Sequence, residues 1–527
     1  MNEFDTIIVG AGSAGCVLAH RLTEDADKTV LLLEAGGPDE KPEIHIPFAL
    51  TKLLQSEVDW AYYTEAQEHL NGRRIFWPRG KVWGGSSSIN AMVYMRSHPA
   101  VYDGWAAAGN PGWSYAEVLP YFKKSEHQER GADSYHGVDG PLNVADPRDA
   151  NPLSCAFIEA ALTLGLPGNE DFNGATQEGF GFFQLTMKGG ERWSTARAFL
   201  HPARPRPNLS ILSQAQASQI LFDNNRAIGL TYWREGQAHV VYASREIILC
   251  GGAINSPQLL LLSGIGPADH LRQMGIPVRL DLPGVGQNLQ DHLDVPVAYE
   301  CTEPISLSQP WAAAELEYRT FRKGPLACNG GEAGGFLKTR PDLPMPDLQF
   351  HFAPGWSVGF GVVRPQGHGF TFWPALLLPQ SKGYLQLKTA DPLAHPLIQP
   401  NYMAHEAEFE LLIHGIKLAR QMAQTEAFAP FVGQEIQPGR EVQSDGELRD
   451  FIRRSSSTVF HPVGTCKMGV DVATAVVNPQ LQVHGIEGLR VADASIMPTI
   501  PNGNTNAPVI MIAEKAADLL KEGELFR

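Results

Sequence analysis

With 527 residues the chain is too long for one ordinary core, since domains typically run to about 100–200 residues, so two domains sharing a ligand are expected. Apolar residues make up 43% and charged residues 19%, and the 52 glycines and 39 prolines are spread without repeats, a balance that suits a globular protein able to bury a large ligand. The formal net charge of −15, with no compensating Lys/Arg run, opposes phosphate backbones and anionic headgroups, which argues against nucleic acid and limits membrane association to peripheral contact.

Residues 5–34 pack four elements into thirty positions. The apolar, β-branched run 6–9 predicts a strand buried on both faces, and Gly10, Gly12 and Gly15 follow with GxGxxG spacing. Gly10 permits a tight turn, Gly12 lets the backbone approach a pyrophosphate, and Gly15 lets the next helix pack closely on the strand. Ser13 and Ala14 open that helix, predicted over residues 13–22, whose N-terminus offers free N–H groups and partial positive charge to phosphates. A second strand over 29–33 ends at Glu34, where a carboxylate can accept hydrogen bonds from both ribose hydroxyls and disfavours a 2′-phosphate. The unit predicts a dinucleotide site without separating FAD from NAD.

Ala35 begins a loop-rich region that ends in the aromatic cluster 59–63, including Trp60, which reads as core unless another motif brings it to the ligand. Next comes the segment 79–90, RGKVWGGSSSIN, ahead of a helix-compatible run from Ala91. Arg79, Gly80, Gly85, Ser86 and Asn90 alternate small, polar groups with bulky ones, so backbone N–H and side-chain groups can touch a flat ligand, while Trp83, Ile89, Met92 and Val93 argue that the segment is buried.

Together with the N-terminal unit, residues 79–90 resemble the first signature of the glucose–methanol–choline (GMC) oxidoreductases, and residues 251–266, GGAINSPQLLLLSGIG, resemble the second. The likeness extends through residues 282–292, LPGVGQNLQDH, and the last seventy residues, and within the family it is greatest to the bacterial choline and aliphatic-alcohol dehydrogenase branch. It implies FAD as cofactor and an α/β (α+β overall) fold: a Rossmann-like FAD-binding domain over 1–150, 201–295 and 456–527, and a mainly antiparallel-sheet substrate domain over 151–200 and 296–455. It also implies cofactor contacts at Ala35, Trp60 and Thr505, and places Ala217 and the turn at Cys250 and Gly251 against the adenine half of FAD. Some relatives attach FAD covalently through a histidine in the 79–90 segment; Ile89 stands at that position here, so non-covalent FAD is expected.

Further along, residues 194–200 read as a short capped helix broken by the Pro/Arg segment 201–207. Residues 209–212 and 227–232 read as strands returning to the nucleotide domain, and 246–250 as a buried strand running into a helix through Leu262. From about 295 to 455 alternating aromatic strands, such as 348–352 and 384–387, predict the antiparallel sheet. Phe350, Phe352, Trp356, Phe360, Phe370, Phe372 and Trp373 are expected mainly as its core, with some roofing the substrate site. By resemblance, Glu332 is a further candidate, since choline-oxidising relatives place a carboxylate near the quaternary ammonium, beside aromatic faces, while the same EAGGF run occurs in relatives acting on neutral alcohols.

His461 lies in residues 459–469, VFHPVGTCKMG, where Pro462 disfavours helix at His461 and Gly464 permits a sharp turn, presenting the imidazole from the end of a strand. The last strand, 489–493, ends at Asp493; a turn carrying Asn504 and Asn506 then leads into a helix over 509–520 whose start can stabilise negative charge on a reduced flavin. By resemblance, Asp493 and Ala494 contact the ribityl chain, His461 is the catalytic histidine, and Asn504 faces it across the substrate. The expected reaction is oxidation of a primary alcohol, with hydride transferred to flavin N5, the hydroxyl proton drawn to His461, and electrons passed on to a quinone or other carrier. Alternatives are an alcohol oxidase using O₂, and a redox-neutral lyase or photodecarboxylase of the same family.

The six cysteines, Cys16, Cys155, Cys250, Cys301, Cys328 and Cys466, show neither CxxC pairs nor metal-ligand spacing, and read as free thiols in a reducing compartment. No apolar run approaches the roughly 20 residues that span a bilayer, and residues 1–4 run straight into the first strand, so a cytoplasmic location, at most peripheral to the inner membrane, is expected.

Overall fold

In the computed structural model, which describes residues 3–308, 311–356 and 367–525, one continuous hydrophobic core joins two sheets. The first is built on the glycine unit. Its Glu3–Val9 strand lies between Val30–Leu33 and Gln237–Leu249, with Leu209–Leu212 outside Val30–Leu33 and Leu489–Val491 beside Gln237–Leu249, all parallel. Ile7, Ile8, Val30 and Leu32 have no exposed surface, as near-continuous apolar runs require in parallel strands covered on both faces. Helix Ser13–Leu22 covers one face and packs against the C-terminal helix Asn506–Leu525.

The Gln237–Leu249 strand is longer than the expected 246–250, because its first half turns into an antiparallel meander with Arg226–Arg234 and Gln216–Asp223. That half alternates between exposed and buried positions, so it lacks the apolar run that marks the rest.

The second sheet is antiparallel, in the order Val432–Gln437, Val297–Cys301, Gly369–Leu376, Leu348–Ala353, Ala333–Leu337 and Gly179–Phe182, with Leu293–Asp294 bridging Gly369–Leu376 to Ser457–Thr458. Helices Pro152–Thr163 and Glu406–Ala423 pack on it. Phe350, Phe370 and Phe372 are fully buried, and Phe352 stacks on Phe157 at 4.8 Å between ring centroids. Phe360 lies outside the described residues.

Three local expectations differ. No helix starts at Ala91: Met92 has a positive φ of 62°, Val93 bridges Leu185, Tyr94 N–H is donated to the Gln184 carbonyl and Thr186 N–H to the Met92 carbonyl, and helix Pro99–Ala107 begins only after that. Residues 194–200 form a wide π turn, Ala196–Leu200, that continues into His201–Ala203; Pro202 sits in a first turn, where it breaks nothing, and this segment packs on Ser13–Leu22. Residues 384–387 are not part of the large sheet. Tyr384–Gln386 pairs with Leu397–Gln399 as a separate ribbon, drawn away by hydrogen bonds from Gly383 to Leu289 and from Leu385 to Gly286. Among the described residues no helix is long and apolar enough to cross a membrane.

Candidate active site

A cavity of about 660 Å³ lies between the carboxyl ends of the parallel strands and the second sheet, within the roughly 300–1,000 Å³ usual for cofactor and ligand sites. Its glycine wall divides by function. Gly10 has a φ of +104°, and a Cβ there would meet the Cys250 carbonyl at 2.7 Å; one on Gly15 would meet the Gly10 carbonyl at 1.9 Å. Gly12 has nothing nearer than 3.9 Å, so its missing side chain leaves space in the cavity itself. Gly15 does not reach the cavity and serves helix–strand contact, whereas Gly10, Gly12, Ser13 and Ala14 line it.

Glu34 and Ala35 also line the cavity. The Glu34 carboxylate accepts the N–H groups of Ala11 and Gly36, both at 2.8 Å, and burial pushes its pKa up to about 7. The 79–90 segment is pressed onto the first glycine turn: a Cβ on Gly85 would lie 2.7 Å from Gly12 Cα, and one on Gly80 would lie 2.1 Å from the Gly85 carbonyl. Arg79, Gly80, Gly85, Ser86 and Asn90 all face the cavity, and buried Arg192 fixes Asn90 by donating to its carbonyl at 2.6 Å and its Oδ1 at 2.9 Å. Trp60, stacked on Tyr62 at 5.7 Å and under the Lys81 ammonium, is on the same wall and not in the core. Ala217 and the turn at Cys250 and Gly251 line the cavity as well.

Beside that turn Asp493, Ala494 and Thr505 line the wall. Both Asp493 oxygens are already engaged twice, by Gly252 N–H and Ser256 Oγ on one and by Ser495 N–H and Oγ on the other, so this carboxylate braces two turns. Ser13 Oγ donates to Asn506 Oδ1 at 2.7 Å, which brings the N-termini of Ser13–Leu22 and Asn506–Leu525 together at the cavity. Two converging helix starts favour negative charge on whatever lies between them.

His461 and Asn504 meet on the wall shared with the second sheet, with Asn504 Nδ2 3.3 Å from His461 Nε2. His461 Nδ1 lies 3.0 Å from His292 Nδ1, and His292 Nε2 lies 3.2 Å from the Leu377 carbonyl. Gln349 donates to Asn504 Oδ1 at 3.4 Å, and its amide is 3.2 Å from His351 Nε2. Burial lowers all three histidines: His292 to about 3, His351 to about 4, and His461 well below its ordinary value, helped by the charges that His292, His351 and Arg79 can carry. Asp294, also in the wall, has its pKa raised well above the usual range by burial, and its Oδ1 has no partner among the described residues.

Glu332 is a correction. Its carboxylate points away from the cavity, where Oε1 accepts the Asn151 N–H at 2.7 Å and Oε2 accepts the Cys328 thiol at 3.1 Å. Near His461 and Asn504, on the wall shared with the second sheet, the carboxylate among the described residues is Asp294. Of the aromatics, Phe352, Trp356 and Trp373 reach the cavity. Sequence reasoning gave no role to His292, Asp291, Asp294, Gln349 or His351. A signal was present in the charged Asp291-His292 pair set between apolar Leu289 and Leu293, and in the two polar residues, Gln349 and His351, that share one face of an aromatic strand.

Residues 4–294 and 379–513 match the two halves of the GMC oxidoreductases. The chain belongs to that family. Among similar GMC proteins, the mitochondrial choline dehydrogenase of Homo sapiens is 49% identical over 99% of this chain and 90% of its own. An alcohol dehydrogenase [acceptor] of Pseudomonas putida is 47% identical over 98% of this chain and 95% of its own. A solved formate oxidase of Aspergillus oryzae, studied for modification of its FAD, superposes with a TM-score of 0.93 at 29% identity over 99% of this chain and 98% of that one. The cavity of this GMC oxidoreductase fits FAD on its own geometry: space over Gly12, a carboxylate on the wall at Glu34, and paired helix starts at Ser13 and Asn506.

Proposed function

We propose that the protein oxidises a primary alcohol to its aldehyde with FAD, and that His461 takes the hydroxyl proton. The observation that carries this reading is the pairing of a buried, neutral imidazole with an amide, His461 and Asn504, on the wall of a cavity that accommodates FAD. When bound, FAD supplies the hydride acceptor at N5. Asn504 orients the substrate oxygen, and His461 is uncharged at neutral pH and so ready to accept a proton, a contribution of roughly 10²- to 10⁴-fold. The paired starts of Ser13–Leu22 and Asn506–Leu525 favour the negative charge that oxidation of substrate leaves on the cofactor.

FAD is held without a covalent bond in this reading. Ile89, which lines the cavity beside Asn90, offers no nucleophile. Asp294, with Trp373 in the same wall, supports a cationic alcohol of the choline class, in keeping with the choline dehydrogenase relatives. Electrons leave to a quinone or other carrier, in keeping with the acceptor-dependent relative.

Anaerobic mixing of the yellow holoenzyme with choline and with neutral aliphatic alcohols tests the proposal. Bleaching of the flavin band, lost in His461→Ala with FAD retained, is expected. An unbleached flavin across the panel would refute alcohol oxidation, and near-wild-type bleaching in His461→Ala would remove His461 as the base. Admitting air after bleaching separates carrier-dependent turnover, in which the band returns slowly, from an oxidase.

A further inference from the structure

The hydrogen bonds behind His461 determine where its protons sit. The Leu377 carbonyl can only accept, so His292 Nε2, 3.2 Å away, carries a proton. His292 is buried, with 1% of its surface exposed, and a neutral imidazole has a single N–H, so its Nδ1 is a bare lone pair. The 3.0 Å contact between the two Nδ1 atoms needs one proton, which therefore belongs to His461. A neutral His461 protonated at Nδ1 is bare at Nε2, the atom that meets Asn504 in the cavity wall.

The same answer comes from the opposite end. Gln349 Nε2 donates to Asn504 Oδ1 at 3.4 Å, which leaves Asn504 Nδ2 to donate to His461 Nε2 at 3.3 Å. Five groups, from the Leu377 carbonyl through His292, His461 and Asn504 to Gln349, thus form one chain with every donor matched to an acceptor.

We propose that His292 is a positioning residue that locks His461 in its Nδ1–H tautomer, so that Nε2 keeps a lone pair, met by Asn504 Nδ2–H at a long 3.3 Å in the structure and offered to the substrate hydroxyl when Asn504 turns to the substrate oxygen. A free imidazole in water favours the opposite tautomer, which would present an N–H to the substrate hydroxyl and accept nothing from it. During oxidation the hydroxyl proton moves to Nε2, the O–H electron pair stays on oxygen, and the carbinol hydride leaves to FAD. His461 is then an imidazolium whose Nδ1–H still donates to the unmoved His292 lone pair, a charge-assisted bond stronger than the neutral one it replaces.

This rests on the reading of His461 as the base, and the test separates the two. His292→Leu removes the acceptor, while His292→Asn can return one through Oδ1 without a titrating group. With FAD content matched, His292→Leu is expected to lower the limiting rate of flavin reduction by about 10- to 100-fold with a smaller change in substrate affinity, and His292→Asn to recover most of it. Nitrogen NMR of histidine-labelled holoenzyme, assigned with His461→Gln, is expected to show His461 protonated at Nδ1 and bare at Nε2, and to show the pattern reversed or mixed in His292→Leu. A wild-type His461 protonated at Nε2, or His292→Leu reducing flavin within about threefold of wild type, overturns the proposal. The wild-type spectrum decides even if His292→Leu does not fold. Failure of the base reading shows separately, as undiminished reduction in His461→Ala.

Discussion

Asp291 holds His461 by its main chain and not by its imidazole: Oδ1 accepts the His461 amide N–H at 2.7 Å, while Oδ2 accepts the hydroxyls of Tyr402 and Thr458. The preceding residue, Phe460, has a positive φ of 64°, so the carboxylate pins a turn that a bulky residue adopts reluctantly. Asp291→Asn keeps an acceptor for the amide, and the two hydroxyls can rotate to suit the new group, so flavin reduction is expected to fall less than about fivefold. Asp291→Ala leaves three buried donors unpaired, each at a cost of about 1–3 kcal/mol, and is expected to lower both the melting temperature and the reduction rate sharply. Thermal melts with stopped-flow reduction of both variants check this; equal losses in the two would show that the charge, and not the accepting geometry, is what matters.

Burial makes the three histidines of the site insensitive to acid over a range where exposed histidine titrates. His292 is lowered to about 3, His351 to about 4, and His461 well below 6.5. All three therefore stay neutral at pH 6.5, and the flavin reduction rate is expected to stay level from about pH 8 to below pH 6.5. Stability moves differently. The folded pKa values lie below the unfolded one, so the unfolded chain takes up these protons first; the histidine contribution to folding is fully present above pH 6.5 and is lost as pH falls through 6.5 towards 4 and 3. A reduction rate that halves near pH 6.5 would assign the proton acceptor to an exposed group.

How much of this was legible in the sequence follows from how far apart the interacting residues lie. The grip formed by Gly10, Gly12, Gly15 and Glu34 is local, so spacing alone announces it, and the Pro462 and Gly464 context marks His461. His292 lies 169 residues from His461 and meets it only because Leu293–Asp294 pairs with Ser457–Thr458. The run from Ala91 is helix-compatible by composition, yet Met92, Val93 and Tyr94 pair with residues 184–186 instead. The direction of Glu332 is not legible in the sequence, because a Gly-rich approach to a strand does not say which way a side chain turns, and Cys328 and Asn151 turn it inward.

The glycine wall makes a separable prediction. A Cβ on Gly12 meets nothing nearer than 3.9 Å of protein, so Gly12→Ala should fold and melt as an apoprotein close to wild type while binding FAD at least about tenfold more weakly, a difference of about 1.4 kcal/mol. Gly15→Ala forces a Cβ to within 1.9 Å of the Gly10 carbonyl and should destabilise the chain whether or not FAD is present. Titration of apoprotein with FAD, followed by flavin fluorescence alongside thermal melts, distinguishes the two. Normal FAD affinity in Gly12→Ala would mean that the cofactor does not approach this turn.

Asp294 sets the last expectation, on substrate charge. Its carboxyl is pushed towards the protonated form by burial first and by the nearby Asp291 charge second, and its Oδ1 has no partner among the described residues. A quaternary ammonium brought beside it favours the ionised form, so binding a cationic alcohol should release up to one proton near neutral pH, whereas a neutral alcohol of the same shape should release none. Asp294→Asn should abolish that release and raise KM for choline by at least about tenfold, equivalent to about 1.4 kcal/mol of lost binding, while leaving KM for the uncharged isostere within a few-fold. Calorimetric titration in two buffers of different ionisation enthalpy reads the proton directly. Equal KM changes for the charged and neutral alcohols would show that Asp294 shapes the cavity without recognising a cation, and the substrate would then be sought among neutral aliphatic alcohols.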